Sequence, residues 1–267
     1  PGQIVYQECQ NILHGRTNRQ QIMKDIDING GFEALVDRDS NVLVTGMYEA
    51  LPHDGLYITS FCGESKDEYV NTNGVLSQWR GYGRDGGFAL LFDTRSLECV
   101  LAEEFQRFDY SDGYLADVVY SDDRERFESE FTHELSRMRE YIRAMIKCIY
   151  AGALDPAVQN DTGALHAFIS CISRYKHRGF KEENEVRICA YRAVHNEGCL
   201  NLRKSDKDQL KPEKERKFRK TNGECVPYIE LFDSLDQDLP IEQIIVGPHQ
   251  NKEARVSALK VMLRGKN

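Results

Sequence analysis

No stretch of the sequence reaches the roughly 18 consecutive apolar residues that a membrane-spanning helix requires. The first residues, P-G-Q-I-V-Y-Q-E, also lack the basic and then apolar pattern of a secretory signal peptide. From these two absences we expect a soluble, cytoplasmic protein. With 267 residues and 40% hydrophobic content, the chain has enough apolar surface for the core of one large domain, and we predict a single domain over residues 1–267.

Metal-binding and disulfide patterns are also missing. The eight cysteines form no C-x-x-C pair and do not cluster with histidines at zinc-ligand spacing. Most stand in apolar surroundings, as in M-I-K-C-I-Y and V-R-I-C-A-Y. We therefore expect reduced thiols in the core and no bound metal, because free cysteine is among the most buried residue types.

Positive charge is in deficit over the whole chain, but one segment departs from this balance. The 35 Lys and Arg residues against 43 Asp and Glu residues give a net charge of −8, which offers no general attraction for nucleic acid or an anionic membrane. Residues 203–220, R-K-S-D-K-D-Q-L-K-P-E-K-E-R-K-F-R-K, have a basic excess and few apolar residues. This composition predicts an exposed loop, or alternatively an edge that binds a polyanion.

The periodicity of apolar residues predicts an α+β fold. Spacings of three and four predict amphipathic helices over 124–151, 162–176 and 252–263, with weaker helical signals at 6–13 and 20–28. Short runs rich in β-branched and aromatic residues predict strands at 55–62, 87–93, 115–120, 185–191, 227–232 and 243–247. Because the strands do not alternate regularly with helices, we expect mixed, mostly antiparallel sheets flanked by long helices.

The only tryptophan stands in the glycine-rich stretch L-S-Q-W-R-G-Y-G-R-D-G-G. Trp79 is either a core anchor with Arg80 as an ion-paired neighbour, or part of an aromatic and arginine group that stacks a planar ring and binds a phosphate. The glycines match neither the dinucleotide-binding loop nor the Walker loop.

Two predicted strands have polar residues on a face. Period two in Y-I-T-S-F-C puts Ser60 and Cys62 on the face opposite Tyr57 and Phe61. In E-E-N-E-V-R-I the same period aligns Glu183, Glu185 and Arg187 on one face. The second pattern is typical of a solvated strand end, or of a site where an arginine holds a carboxylate that faces a substrate hydroxyl.

The order of these motifs resembles a bacterial family known as domain of unknown function 2971. The motifs are S-F-C, S-Q-W-R-G-Y-G before a glycine-led apolar strand, E-N-E-V-R-I and the closing I-E-Q-I-I-V-G-P. That family in turn resembles the ADP-ribosyltransferase fold, which has a His or Arg on its first strand, a Ser- or Tyr-bearing second strand and a Glu on a later strand.

The resemblance implies an enzyme that uses NAD as its substrate and transfers ADP-ribose to a protein or nucleic acid, without a metal or a membrane partner, in toxin action or phage defence. It assigns the ribose-facing carboxylate to Glu185, and it makes Glu183 the base or the residue that orients the acceptor. Ser60 holds the ribose or the Glu185 carboxylate, Arg80 contacts the pyrophosphate, and Tyr57 and Trp79 cover the two faces of the nicotinamide. The full set of NAD-binding candidates is Tyr57, Ser60, Phe61, Trp79, Arg80, Tyr82 and Arg187.

The sequence departs from that family before Ser60. Family members begin with an aromatic-His-Tyr-Thr or Tyr-Arg strand and an Asn-Asp-x-x-Glu segment, and this sequence shows neither. Three explanations are open: the sequence starts downstream of these elements, its early part has diverged, or the NAD interpretation is wrong. His14 and His53 are candidates for the missing first-strand residue, but the residues around neither of them match the family's motif. Without the first-strand residue, the alternatives are a non-enzymatic module that binds a nucleotide or a protein, and a nuclease-type toxin that acts through residues 203–220.

Overall fold

A computed structural model of the chain describes residues 55–83, 86–151, 163–192, 211–221, 223–235 and 237–264, with the single positions 45, 48, 158 and 161. The chain divides into two compact units: Pro1–Leu56 with Ser121–Lys176, and Tyr57–Tyr120 with His177–Asn267. The prediction of a single domain stays a prediction. His14, His53, the helical signals before residue 30 and residues 203–210 lie outside the described residues.

The described helices and strands follow in chain order. They are β1 (Leu56–Cys62), α1 (Glu68–Asn73), α2 (Leu76–Tyr82), β2 (Phe88–Phe92), α3 (Thr94–Arg107), β3 (Tyr110–Asp117), β4 (Val119–Ser121), α4 (Arg124–Glu130), α5 (Thr132–Ala151), α6 (Gly163–Arg174), β5 (Tyr175–His177), a 3₁₀ helix (Arg178–Glu183), β6 (Glu185–Arg192), β7 (Lys217–Thr221), β8 (Glu224–Tyr228), β9 (Ile241–Val246) and α7 (Lys252–Arg264).

The second unit contains a three-stranded sheet and two antiparallel strand pairs, of which β7 with β8 is a hairpin and β2 with β9 joins distant parts of the sequence. In the larger sheet the order is β1-β6-β3, so β6 is the central strand. β3 and β6 run antiparallel, as do β2 with β9 and β7 with β8. Helix α3 covers one face of the larger sheet, because Leu97 and Leu101 of the helix form a buried cluster with Ile188 of β6. The predicted α+β class with mostly antiparallel sheets is confirmed.

In the first unit the two long helices α5 and α6 pack against each other. Their shared core contains fully buried Phe131 and Ile169. The single helix predicted over 124–151 is interrupted at Phe131, which separates α4 from α5. The Thr132 hydroxyl donates to the carbonyls of Glu128 and Ser129, and such back-bonding bends helices. In the described part of the chain, no helix is both long and apolar enough to cross a membrane.

Three further differences from the sequence predictions affect the candidate site. Residues 76–82, predicted as part of a glycine-rich turn, form α2. Helix α3 was not predicted at all. Part of the segment 203–220 is a strand rather than a loop, since Lys217–Thr221 form β7, and Lys214 just before it is buried.

The cysteines differ from the prediction as well. Among the described residues, Cys148, Cys171 and Cys189 are buried, but Cys62, Cys99 and Cys225 are exposed. All six are free thiols. The prediction of buried thiols therefore holds for Cys148 in α5, Cys171 in α6 and Cys189 in the central strand, and fails for Cys62, Cys225 and Cys99, although Cys99 also lies in a helix.

Candidate functional site

A buried ion pair stands at the beginning of the central strand. Arg187 donates to both carboxylate oxygens of Glu185, from Nε to Oε1 at 2.9 Å and from Nη2 to Oε2 at 3.1 Å. The side chain of Glu185 is 6% exposed and that of Arg187 is 13% exposed. The predicted pairing of Arg187 with an acid is present, but the pair is buried and not half-exposed. Forming or removing this pair therefore changes the free energy of unfolding more than forming or removing a surface pair does.

The strand backbone at Glu185 is held by its neighbours in the same unit. The Glu185 N–H donates to the hydroxyl of buried Tyr120 at 2.8 Å, and the Glu185 carbonyl accepts from the Val118 N–H at 2.9 Å. Burial raises the pKa of Tyr191 farther along the same strand face. Tyr120 was not identified from the sequence, because nothing local relates its hydroxyl to a strand that begins 65 residues later.

Ser60 lies on the same sheet face as this pair. β1 ends beside the start of β6, where the Gly63 N–H donates to the Asn184 carbonyl at 2.6 Å, so the two neighbouring strands run antiparallel. Phe61 of β1 and Ile188 of β6 belong to the core under α3. Because side chains alternate along a strand, Ser60, Glu185 and Arg187 occupy the opposite face.

Glu183 does not share this face. It is the last residue of the 3₁₀ helix, and Asn184 then adopts a left-handed conformation with φ of 42° before β6 begins. Asn tolerates this conformation better than most residues. The expected alternation of Glu183 with Glu185 is therefore wrong, because the left-handed residue between them interrupts the period-two geometry and leaves Glu183 outside the sheet.

The Asn184 junction forms one wall of a cleft. Its side-chain amide donates to the Glu64 carbonyl at 3.0 Å, and a Cβ added at Gly63 would lie 2.9 Å from Asn184 Nδ2. The cleft has a volume of about 400 Å³. Its lining includes Gly63, Ser65, Lys66, Val70, Lys181 and Asn184. Ser60, Glu185 and Arg187 are not among the residues that line this cleft, so it lies beside the start of β6 and does not contain the ion pair.

Trp79 is packed among glycines. Its indole N–H donates to the Asn73 carbonyl at 2.8 Å. Added Cβ atoms would lie 2.7 Å from its ring at Gly74 and 2.8 Å from it at Gly83 and Gly247. The glycines around the W-R-G-Y-G motif therefore make room for the indole, which favours the core-anchor interpretation of Trp79.

The other predicted NAD-binding residues are distributed over different surfaces. Arg80 and Tyr82 project from α2 and are exposed, Tyr82 to 83%. Phe61 packs edge-to-face on Phe92 in the core, at 5.7 Å between ring centroids. The Tyr57 hydroxyl accepts from Arg216 Nε at 3.2 Å. The sheet thus brings Ser60, Glu185 and Arg187 onto one face, and it puts Phe61 on the other.

A second charged cluster in this unit was missed from the sequence. Fully buried Glu104 of α3 accepts from Lys214 Nζ at 2.8 Å, and Lys214, 3% exposed, also binds Asp233 at 2.6 Å. The Tyr110 hydroxyl and the Phe232 N–H complete the partners of Glu104, at 2.9 and 3.0 Å. Burial, and then the neighbouring Glu104 carboxylate, raises the pKa of Tyr110 well above its ordinary value.

One feature of the sequence indicated that this cluster exists. Glu104 continues the spacing of Leu97, Val100 and Leu101 along one side of α3, so a carboxylate lies on an apolar helix face. A charge in that position predicts a buried partner. The identity of the partner was not predictable, because Lys214 comes from a polar run with no apolar periodicity.

Comparison with known proteins supports the family resemblance for part of the chain. Residues 78–188 match the model of a family described as protein of unknown function (DUF2971). No curated protein and no solved structure matches the chain. The matched residues begin next to Trp79 and end within β6, so they contain both the W-R-G-Y-G and the E-N-E-V-R-I motifs, and the chain is similar to that family over less than half of its length.

Proposed function

We propose that the chain is an ADP-ribosyltransferase-like enzyme that cleaves NAD at the nicotinamide–ribose bond and transfers ADP-ribose to a macromolecular acceptor. One observation carries the proposal. The strands with the Ser and Glu of that fold's signature lie far apart in the sequence, yet they are neighbours in one sheet, with Ser60 and Glu185 on one face.

The proposed chemistry is that of a glycosyl transfer. The bond between the ribose C1′ and the nicotinamide nitrogen breaks, nicotinamide leaves with the electron pair, and positive charge develops on the ribose as in glycoside hydrolysis. The Glu185 carboxylate accepts a hydrogen bond from the ribose 2′-hydroxyl and stabilises that charge. The acceptor nucleophile then bonds to C1′ and gives up its proton to a base, a role that the proposal leaves with Glu183.

Arg187 and Ser60 support Glu185 in this proposal. The bidentate contact from Arg187 keeps the carboxylate ionised and fixes its orientation, which a transition-state contact needs. Ser60, exposed on the next strand, is assigned to the ribose. Because Trp79 is enclosed by glycines and the exposed Arg80 and Tyr82 lie on a different surface, the proposal rests on Ser60, Glu185 and Arg187 and assigns no residue to the pyrophosphate or the nicotinamide.

The test is the variant Glu185→Gln, measured for NAD affinity by calorimetry and for nicotinamide release. The amide keeps the shape but loses the charge, so NAD affinity should change little while turnover falls on the order of 100- to 1000-fold. Glu98→Gln, an exposed carboxylate on α3, is the matched control and should leave both quantities unchanged. Absence of nicotinamide release from the unaltered protein, with NAD bound, would overturn the proposal.

A binding module of the same fold is the second candidate. The observation that favours it is the burial of Glu185, whose two oxygens already accept from Arg187. In that case Glu185→Gln changes ligand affinity, and neither protein releases nicotinamide. The same pair of measurements therefore separates the two functions.

A further inference from the structure

The first residue of the central strand is joined to the neighbouring chain in an irregular way. The register that pairs Asp117 with Val186 places Val118 opposite Glu185. In a regular antiparallel ladder, the two residues of a hydrogen-bonded pair exchange both N–H···O bonds. Here the Val118 N–H donates to the Glu185 carbonyl at 2.9 Å, but the Glu185 N–H donates to the Tyr120 hydroxyl at 2.8 Å. A side-chain oxygen therefore has the role that the Val118 carbonyl would have in a regular ladder.

This hydroxyl is buried together with the residue that it holds. Tyr120 is 8% exposed and Glu185 is 6% exposed. A buried backbone N–H needs an acceptor, because leaving it unsatisfied costs the full desolvation energy of the group. The Tyr120 hydroxyl thus supplies an acceptor that water cannot readily replace.

The peptide group between Asn184 and Glu185 is bound on both sides. Its carbonyl accepts from the Gly63 N–H at 2.6 Å, and its N–H is the one that donates to Tyr120. Asn184 itself is in the left-handed region, with φ of 42°, and its side-chain amide donates to the Glu64 carbonyl at 3.0 Å. These bonds fix the plane of the peptide group, and with it the direction in which the Glu185 side chain leaves the backbone.

We infer that Tyr120 is a positioning residue for the proposed reaction, on which this role rests, and that it acts through the Glu185 backbone. Arg187 orients the carboxylate end of the Glu185 side chain, whereas Tyr120 orients its Cα–Cβ bond. A contact to the ribose in the transition state needs both, because a misplacement of about 1 Å can cost on the order of 100-fold in rate.

A second tyrosine hydroxyl of the same unit offers a matched control. The Tyr110 hydroxyl donates to the buried Glu104 carboxylate at 2.9 Å, within the cluster that joins α3 to distant segments. Replacing either tyrosine by phenylalanine removes one hydroxyl and one hydrogen bond to a buried group. Only the Tyr120 hydroxyl binds Glu185, so the two variants separate a general loss of stability from a specific loss of position.

The experiment measures kcat and KM for nicotinamide release by Tyr120→Phe and Tyr110→Phe, well below their unfolding temperatures and per folded molecule. Tyr120→Phe should lower kcat roughly 10- to 100-fold and leave the KM for NAD within about 2-fold, because the contact that it misplaces develops in the transition state. Tyr110→Phe should change neither quantity. Equal kcat values for the two variants would overturn the role of Tyr120 while leaving the proposed reaction intact.

A double-variant cycle tests whether Tyr120 acts through Glu185. If it does, adding Tyr120→Phe to Glu185→Gln should lower kcat by less than about 3-fold, since the group to be positioned is already lost. A full 10- to 100-fold loss in the double variant, the effect also expected of the single variant, would show that Tyr120 acts elsewhere.

Amide hydrogen exchange at Glu185, followed by NMR, tests the contact without turnover. The Glu185 amide should be protected in the unaltered protein and exchange roughly 2- to 10-fold faster in Tyr120→Phe, the change expected for one hydrogen bond, but not in Tyr110→Phe. An unprotected Glu185 amide in the unaltered protein would overturn the role of Tyr120 whatever the kinetics. If the unaltered protein binds NAD and never releases nicotinamide, the proposed reaction fails, and the role of Tyr120 in it fails too, even with the exchange as expected.

Discussion

Glu104 and Glu185 are both buried carboxylates of the same unit, each beside a cation, yet their partners come from different distances along the chain. Glu104 accepts from Lys214, Tyr110 and the Phe232 backbone, so it joins α3 to two segments more than 100 residues later. Glu185 pairs with Arg187, two residues farther along its own strand. One carboxylate connects distant segments, and the other is paired within a single strand.

This difference distinguishes a charge cluster that links segments of the fold from an ion pair to which we assign a proposed function. Burial of an ion pair costs desolvation energy, which is offset where the pair also fixes tertiary structure. The Glu104 cluster does so, because its bonds hold the segment before β7 and the turns after β8 against α3. The bond between Glu185 and Arg187 is available in any extended strand and adds no link between segments. A buried ion pair whose two members belong to one strand is a candidate for function, and the proposed reaction uses it in that way.

The largest expected effect comes from removing the cation of the Glu104 cluster. Lys214→Met leaves the fully buried Glu104 without its ammonium partner and should lower the free energy of unfolding by about 3–5 kcal/mol. Urea denaturation measures this value. Lys260→Met, at an exposed position on α7, is the control and should change it by less than about 0.5 kcal/mol.

The comparison fails if Lys214→Met is as stable as its control. The double variant Glu104→Leu/Lys214→Met sharpens it further. Because replacing both members of a buried ion pair by apolar groups is often neutral, the double variant should recover much of the stability that the single variant loses.

A smaller loss of stability is expected at the second carboxylate. Arg187→Met leaves Glu185 without its bidentate donor and should lower the free energy of unfolding by about 1–3 kcal/mol. Nicotinamide release, measured well below the unfolding temperature, should fall more than the folded fraction does. Arg187→Lys keeps the charge without the bidentate geometry and should restore stability better than turnover. A stability loss as large as that of Lys214→Met would show that Arg187 is structural.

The packing of Trp79 among glycines gives a test of the same size, here of a core anchor. Gly247→Ala puts a Cβ 2.8 Å from the indole and 2.9 Å from the Gly87 carbonyl, so it should destabilise the protein by about 1–3 kcal/mol. The emission of Trp79, the only tryptophan, should shift with it. Gly81→Ala meets no atom within 4 Å in α2 and should stabilise by about 0.5–1 kcal/mol. Unchanged emission in Gly247→Ala would contradict the glycine-enclosed geometry.

The sequence predicted the central strand well because its pattern is local. V-R-I-C-A-Y follows a left-handed Asn, and β6 begins at the predicted residue, Glu185. The pairing of Glu185 with Arg187 was equally predictable, since period two alone brings the two side chains together. Glu183 was misplaced, because a single residue in the left-handed region is not visible in composition.

What the sequence did not predict depends on distant or polar partners. Helix α3 was missed because one position of its buried stripe is Glu104, which weakens the apolar signal. The glycines around Trp79 indicated a turn, and their role in accommodating an indole appears only in three dimensions. Lys214 lies in a run of charges where nothing local distinguishes this buried lysine from exposed neighbours such as Glu213 and Glu215.

The smallest expected effect concerns the exposed edge of the Glu104 cluster. The hydrogen bond from Lys214 holds the pKa of Asp233 below its ordinary value. A lowered pKa in the folded state contributes stability above the unfolded value near about 4, and this contribution is lost as the pH falls through the folded value. Because Asp233 is partly exposed, Asp233→Asn should cost only about 0–1 kcal/mol at neutral pH.

Urea denaturation of both proteins between about pH 3 and pH 7 should show this difference disappearing in acid, because the protonated Asp233 of the unaltered protein then resembles the amide. A difference in the free energy of unfolding that persists unchanged at the acid end would mean that Asp233 acts through packing and not through its charge. The charge of Lys214 would then be compensated by Glu104.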